Sequence, residues 1–463
     1  MAWNRRKFLG ATSGMAAGAV LGDPWAAAAE AAAPPNLLFV LADQWRASAL
    51  GVGSDEGVRT PHLDRLTGRF CDQTGLVRND LMLPPSEVCW PELFRDAGYA
   101  THYIGKWHMD GVDKPGYVPR GWRRRGFETF EGFNRGHVYH KAYGFDDDGG
   151  PLYARWRVEG RTYYEPSLQT DLAIEFMQRQ REKPFCCYLS WGPPHTPFQP
   201  PRDWDRYREE ELRLRPNVPE EHAARARKDL AGYYGLCESL DFEMGRLLEF
   251  LETSGLARNT LLVFTADHGE LAGSHGKYRK GEPEEESLNV PLLMRMPSQI
   301  AGGTKSDTLI SSIDLMPTML SLCGLKTPET CVGLDKSAAV RQGGRPPEVE
   351  SIYAEGKLTS AADDEEEAAR PRRANGGNAN AWRTIVTQRY KLTVRSDFKT
   401  VEQLFDLEND PFEREHLAGD PGRRSLQDDL IAELRAWGAR TGDVFPRPPA
   451  SAAAPPRSAR RRP

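Results

Sequence analysis

Three distant places in the sequence set ionisable residues at the end of an apolar run. Asn36-Leu-Leu-Phe-Val-Leu-Ala42 stops at Asp43-Gln44, Phe185 to Trp191 stops near His195, and Thr260-Leu-Leu-Val-Phe-Thr265 stops at Asp267-His268. Carboxylates delivered from two strands supply hard oxygen ligands, the set a calcium ion takes. A lone Asp at a strand end is more often a helix cap or turn residue, so it is the pairing of Asp43 with Asp267 that points to a metal. Gly105-Lys106-Trp107-His108 follows the strand-like Thr101 to Ile104, and residues two apart on an extended chain face the same way. A lysine and a histidine so placed bind an anion and move a proton, although a surface lysine beside a satisfied histidine has the same spelling. Pro193-Pro194-His195-Thr196-Pro197 fixes a histidine on a proline-restricted turn, either for chemistry in a cleft or as a structural turn.

The elements that carry these residues can be read around them. Short, continuous apolar runs are those of parallel strands covered on both faces, and open α/β sheets place their chemistry at the carboxyl ends of such strands. Helical stretches lie between, including Ser86 to Gly98 and Asp229 to Gly255, where Leu236, Leu240, Met244, Leu247, Leu248 and Leu251 recur at helical spacing. The alternation predicts an α/β domain over residues 34–345, a mainly parallel sheet covered by helices, closing in Leu309 to Gly324 as a strand leading into a helix. Residues 346–380, almost without apolar side chains from Thr359 onward, read as a linker or loop. Residues 381–440 read as a small α+β subdomain, with strands in Trp382 to Val394 and Gln403 to Leu407 and a helix from Ser425 to Trp437. Residues 441–463, rich in proline, alanine and arginine, read as a disordered tail.

With 61 Lys and Arg against 66 Asp and Glu in 463 residues, no broad basic field favours nucleic acid as a partner. Asn4-Arg5-Arg6-Lys7-Phe8-Leu9, an apolar run from Gly10 to Leu21 and the alanine-rich Ala26 to Ala33 spell a twin-arginine signal peptide over residues 1–33. That run is too short and too rich in Gly and Ala to be an uncleaved anchor. The expectation is a protein handed to the twin-arginine export machinery, then periplasmic or secreted and free of the membrane. Its seven cysteines, Cys71, Cys89, Cys186, Cys187, Cys237, Cys323 and Cys331, lack metal-site spacing, and Cys186-Cys187 reads as part of a buried strand. One or two disulfides are compatible with that compartment.

Asn36 to Asp43, Thr60-Pro-His-Leu-Asp-Arg-Leu66, Gly98 to His108, Phe264 to Glu270 and Lys280 to Pro291 resemble, in order, consecutive blocks of the sulfatase family. Asp314-Leu-Met-Pro-Thr318, Arg389-Tyr-Lys391 and Leu404-Phe-Asp-Leu-Glu-Asn-Asp-Pro411 extend the resemblance to roughly residues 35–440. It implies the alkaline-phosphatase-like fold and the hydrolysis of sulfuric esters, of a small sulfated substrate or a sulfated glycan. Carried over residue by residue, it implies one calcium ion held by Asp43, Gln44, Asp267 and His268. It places Lys106, His108, His195 and Lys280 around the sulfate as catalytic groups, with Lys106, His195, Lys280 and His275 in substrate binding. Lysines and a histidine acid suit the charge that develops on the bridging oxygen, and the metal suits the sulfuryl oxygens.

The sequence departs from the family at its nucleophile. The family places a Cys or Ser followed by x-Pro-x-Arg, matured to formylglycine, between the Leu-Asp-Arg-Leu helix and a Leu-Thr-Gly-Arg block. Here Leu63-Asp-Arg-Leu66 runs straight into Thr67-Gly68-Arg69-Phe70, as if a segment had been deleted and two leucines merged in Leu66. No residue here can carry the formylglycine: Cys89-Trp90-Pro91 continues with Glu92-Leu93 and reads as core-facing, and Cys71 has neither Pro nor Arg after it. Glu284 stands where the family has an aromatic. A catalytically silent binder of sulfated ligands is therefore the competing expectation, and a phosphodiester or phosphonate hydrolase a third. The aromatics of residues 111–165, Trp122, Phe127, Phe130, Phe133, Tyr139, Tyr143, Tyr153, Trp156 and Tyr163, either stack on sugar rings or pack the cover of the sheet.

Overall fold

The computed structural model describes residues 33–50, 81–111, 116–140, 143–152, 164–180, 183–343, 351–356, 381–395 and 400–443. The signal segment up to residue 32, the junction of Leu66 with Thr67, Cys71, the Thr60 to Leu66 block, residues 444–463 of the tail, and Tyr153, Trp156 and Tyr163 lie outside the described residues; of the expected disordered tail, Thr441 instead ends the C-terminal helix and Asp443 pairs with buried Arg383.

A six-stranded sheet forms the centre. Its strands are β1 (Asn36–Asp43), β2 (Ala100–Trp107), β3 (Thr129–Asn134), β4 (Phe185–Pro194), β5 (Thr260–Ala266) and β6 (Leu292–Arg295), in the order β3-β2-β4-β1-β5-β6. All neighbours pair in parallel except β6, which runs antiparallel to β5. Alternate residues of β1 explain why its run is apolar throughout. Leu38, Val40 and Ala42 meet Leu172 and Phe176 of α2 (Glu165–Arg179) and Tyr233, Leu240 and Leu247 of α3 (Ala223–Thr253). Leu37 and Phe39 meet Trp90 and Phe94 of α1 (Trp90–Asp96) and Leu315 and Met319 of α5 (Ser312–Leu322) on the other face. The side-chain period of two thus feeds two cores.

Gly105 shows how closely the strands approach at the carboxyl ends. Its φ is +106°, and a Cβ there would stand 2.1 Å from the Ser190 carbonyl oxygen on β4, so the residue before Lys106 has no room for a side chain.

Two expectations change. Leu309 and Ile310 join no sheet; Ser311 instead caps α5, its own N–H donating to Asp314 Oδ2 at 2.9 Å in a capping box. Part of the expected linker is a strand, β7 (Ser351–Gly356), the edge of a second sheet that continues antiparallel through β8 (Trp382–Thr387), β9 (Tyr390–Arg395) and β10 (Val401–Asp406). Tyr353, Ile385, Leu392, Val394 and Leu404 of that sheet pack on Leu430, Leu434 and Trp437 of α7 (Arg424–Thr441); α4 (Glu285–Leu288) lies between β5 and β6 in sequence, and α6 (Ser337–Gln342) between the two sheets. Among the described residues no helix is long and apolar enough to cross a membrane.

Candidate active site

The carboxyl ends of β1, β2, β4 and β5 bring the predicted groups together. A register shift between Ala42 and Asp43 sets Asp43 opposite Pro194, one residue short of His195. Gln44 follows with φ +69°, turning the chain so that its backbone N–H donates to Asp267 Oδ1 at 2.8 Å. Its side-chain Nε2 donates to Glu270 Oε2 at 2.6 Å, which fixes the amide and leaves Oε1 buried without a hydrogen-bond partner. Asp43 Oδ1 is buried and without a partner in the same way.

His268 completes this set. Its Nδ1 lies 2.9 Å from the Gly269 carbonyl oxygen, which can only accept, so the proton of a neutral ring sits on Nδ1. The Nε2 lone pair then faces Asp43 Oδ1 at 3.5 Å and Asp267 Oδ2 at 3.4 Å. One donor atom each from Asp43, Asp267 and His268 fall within 4.8 Å of one another. Electron-rich atoms gathered in a buried place repel unless a cation lies among them, so the residues fit a metal ion. Asp43, Asp267 and His268 would hold it, with the Gln44 amide oxygen in reach of the same role.

Basic side chains act on Asp43 as well. Lys106 is buried, and its Nζ donates to Asp43 Oδ2. Burial and Asp267 work to raise the Asp43 pKa, but Lys106, His195 and Lys280 outweigh them and hold the carboxylate well below its ordinary range. Burial lowers the Lys106 pKa, with Asp43 opposing and Lys280 adding to the fall. Burial brings His195 down to about 4, Asp43 opposing and Lys280 and Lys106 adding to it, and His108 falls well below its usual value through burial and then Lys106. Lys106, His108, His195 and Lys280 therefore act on one another around Asp43.

His275 goes elsewhere. Its Nε2 lies 3.0 Å from Asn217 Nδ2 and 3.9 Å from Glu286 Oε2, in a buried cluster with Glu413 rather than beside Asp43. The structure also adds a residue that sequence reasoning missed: His137 lies 2.8 Å by its Nε2 from Lys106 Nζ and stacks on His195 with ring centroids 3.7 Å apart. Cys89 is buried at the start of α1, takes a hydrogen bond from Arg125 Nε at 3.3 Å, and is pushed up to about 12 by burial, which disqualifies it as a thiolate nucleophile. Of the aromatics between residues 111 and 165, Phe127, Phe130, Phe133 and Tyr139 are buried, so packing accounts for them, while Trp122 is exposed.

A covered, mostly parallel sheet with a metal-ligand set and cationic groups at its carboxyl ends, plus a second antiparallel sheet, defines the alkaline-phosphatase-like class of hydrolases. Residues 66–325 match the sulfatase family model. The chain is 32% identical to an ulvan-active sulfatase of Formosa agariphila over 89% of its length and 82% of that protein's. A crystal structure of a putative sulfatase from Bacteroides fragilis superposes with TM-score 0.75 at 25% identity, covering 89% of this chain and 97% of that one. A structure solved in complex with its substrate D-glucosamine-2-N,6-O-disulfate superposes with TM-score 0.71 at 21% identity over 89% and 99%. The chain belongs to the sulfatase family, hydrolases of sulfuric esters.

Proposed function

We propose that this site takes the sulfate ester of a sulfated glycan and depends on calcium, with Asp43, Gln44, Asp267 and His268 as the metal's ligands. The observation that carries the reading is the convergence of that donor set with Lys106, His108, His195 and Lys280 around one buried carboxylate. The names of the relatives, one active on ulvan and one seen with a disulfated glucosamine, support the glycan class. Bound calcium supplies positive charge for the sulfuryl oxygens. Lys106 and Lys280 supply more. His195 donates through Nδ1 to the Thr196 carbonyl at 2.8 Å, so Nε2 is the atom that exchanges a proton with the ester. An anion beside the ring favours its imidazolium form, the one able to protonate a leaving oxygen.

Formylglycine does not fit this chain. Its sequence holds no Cys or Ser followed by x-Pro-x-Arg, and buried Cys89 does not replace it. That observation favours a second reading, in which the protein binds sulfate esters without opening them through a covalent intermediate. Hydrolysis of a chromogenic aryl sulfate in calcium, by the chain as given and by a version with the family's nucleophile segment restored between Leu66 and Thr67, separates the two. Turnover by the restored version alone identifies a sulfatase scaffold that has become a binder. Turnover by both identifies an enzyme that works without formylglycine, and turnover by neither removes the hydrolytic reading. The N-terminal signal supports export by the twin-arginine route to the periplasm or beyond, which fractionation of expressing cells checks.

A further inference from the structure

His137 follows β3 by three residues, in the stretch Asn134-Arg-Gly-His137, and is held between two groups from different strands. On one side, Lys106 Nζ lies 2.8 Å from its Nε2. An ammonium has no lone pair, so this contact requires Nε2 to accept and the ring proton to sit on Nδ1. Nδ1 faces Tyr139 Oη at 3.3 Å, and Tyr139 Oη donates to the His195 carbonyl oxygen at 2.7 Å, which can only accept. The chain Lys106 to His137 to Tyr139 to His195 thus runs in one direction, fixed at one end by a group that only donates and at the other by one that only accepts. The ring planes of His137 and His195 are 5° apart, so the same imidazole covers the face of His195. Burial, then Lys106 and His195, keep His137 neutral, as that arrangement needs.

We infer that His137 is a positioning residue for the anion site, whose Nε2 lone pair and flat face orient Lys106 and His195 together. A tetrahedral ammonium bonded to Asp43 Oδ2 and to His137 Nε2 has the direction of its third N–H fixed, and that N–H is the one left for a sulfuryl oxygen. Without the acceptor, Lys106 turns about its last bond and gives up one of the constraints that aims it. This inference rests on reading the site as one for sulfate, and goes beyond it by assigning His137 a role through Lys106 rather than through the ligand.

The test is calorimetric titration of inorganic sulfate into the calcium-loaded full chain, in the wild type, His137→Gln and His137→Phe. Phenylalanine keeps a flat ring over His195 and removes the acceptor; the glutamine amide keeps an acceptor oxygen. The expected result is sulfate binding weakened about tenfold in His137→Phe and within about threefold of wild type in His137→Gln, the loss corresponding to one charge-assisted hydrogen bond. Thermal melts show that both variants fold, and nitrogen-15 shifts of the wild-type imidazole report an unprotonated Nε2. Equal weakening in both variants, or none in His137→Phe, overturns the inference while leaving the sulfate site standing. Absence of sulfate binding by the wild type removes the site reading and this inference with it.

Discussion

Replacing Lys391 by Met strikes the contact between the second sheet and the segment that follows Lys280. Lys391, on β9, is fully buried; its Nζ donates to the Pro283 carbonyl at 2.7 Å and to Glu285 Oε1 at 3.1 Å, and pairs with Glu413. Glu413 in turn accepts from the Glu285 N–H at 2.8 Å. Methionine keeps most of the apolar stem but leaves two buried carboxylates facing each other without the ammonium between them. Removing one partner of a buried ion pair costs about 3–5 kcal/mol. With unfolding entropy of about 2.1 cal/mol/K per residue over roughly 300–400 folded residues, that lowers the melting temperature by about 4–8 °C. Scanning calorimetry of Lys391→Met beside wild type measures the drop. Adding Glu413→Gln to it removes one stranded charge and should recover part of the loss, since residues in one network couple. A melting temperature within about 1 °C of wild type, or a double variant no better than the single one, would show that the pair does not carry this contact.

Burial pushes the Glu165 carboxyl up to about 8, against the hydrogen bond from Gln169 and the charge of Lys106. The folded protein therefore holds a proton that the unfolded chain releases, so this contribution to stability is full below about pH 4.5 and is lost as pH rises towards 8, by on the order of 4 kcal/mol. Glu165→Gln should match wild type in melts near pH 5 and exceed it increasingly towards pH 8; parallel pH profiles would contradict the assignment. Calcium at about a hundred times its dissociation constant should stabilise the wild type by about 2.7 kcal/mol, reversed by a chelator, while Asp267→Asn should lose both this gain and the calorimetric binding isotherm. A calcium response undiminished in Asp267→Asn would move the metal away from these ligands.

The strand ends were legible because a doubly covered parallel strand leaves no ambiguity of period: β1, β4 and β5 are apolar on both faces, and each apolar run stops near Asp43, His195 or Asp267, the groups of the candidate site. Lys106 and His108 followed from the same logic on β2. His137 carried no such signal. It reaches the site because β3 pairs with β2, Phe133 opposite Lys106, and the chain then turns back at Arg135, with φ +62°, and Gly136. Nothing in Asn134-Arg-Gly-His137 alone specifies that route. His275 misled for the converse reason: its Gly273-Ser-His-Gly276 setting suggests a cleft, but its own φ of +54° turns the ring onto Asn217 and Glu286. β7 was hidden by the polar sequence after it, since an edge strand is recognised by its partner β8 more than by its own pattern.

The segment after Lys280 is gripped from far along the chain. The Trp382 indole donates to the Gly281 carbonyl at 3.1 Å, Arg395 Nη2 to Glu282 at 3.2 Å, and Gln403 Nε2 to Glu284 at 3.0 Å, beside the Lys391 contacts already given. A chain synthesised from its N-terminus has made every strand of the large sheet before any of these residues exists. The large sheet can pair while the segment after Lys280 still waits for β8, β9 and β10, and the site proposed to take an anion gains these supports only once they have docked. Completion of the second sheet is thus a late step in supporting that proposed site, set by the order of synthesis.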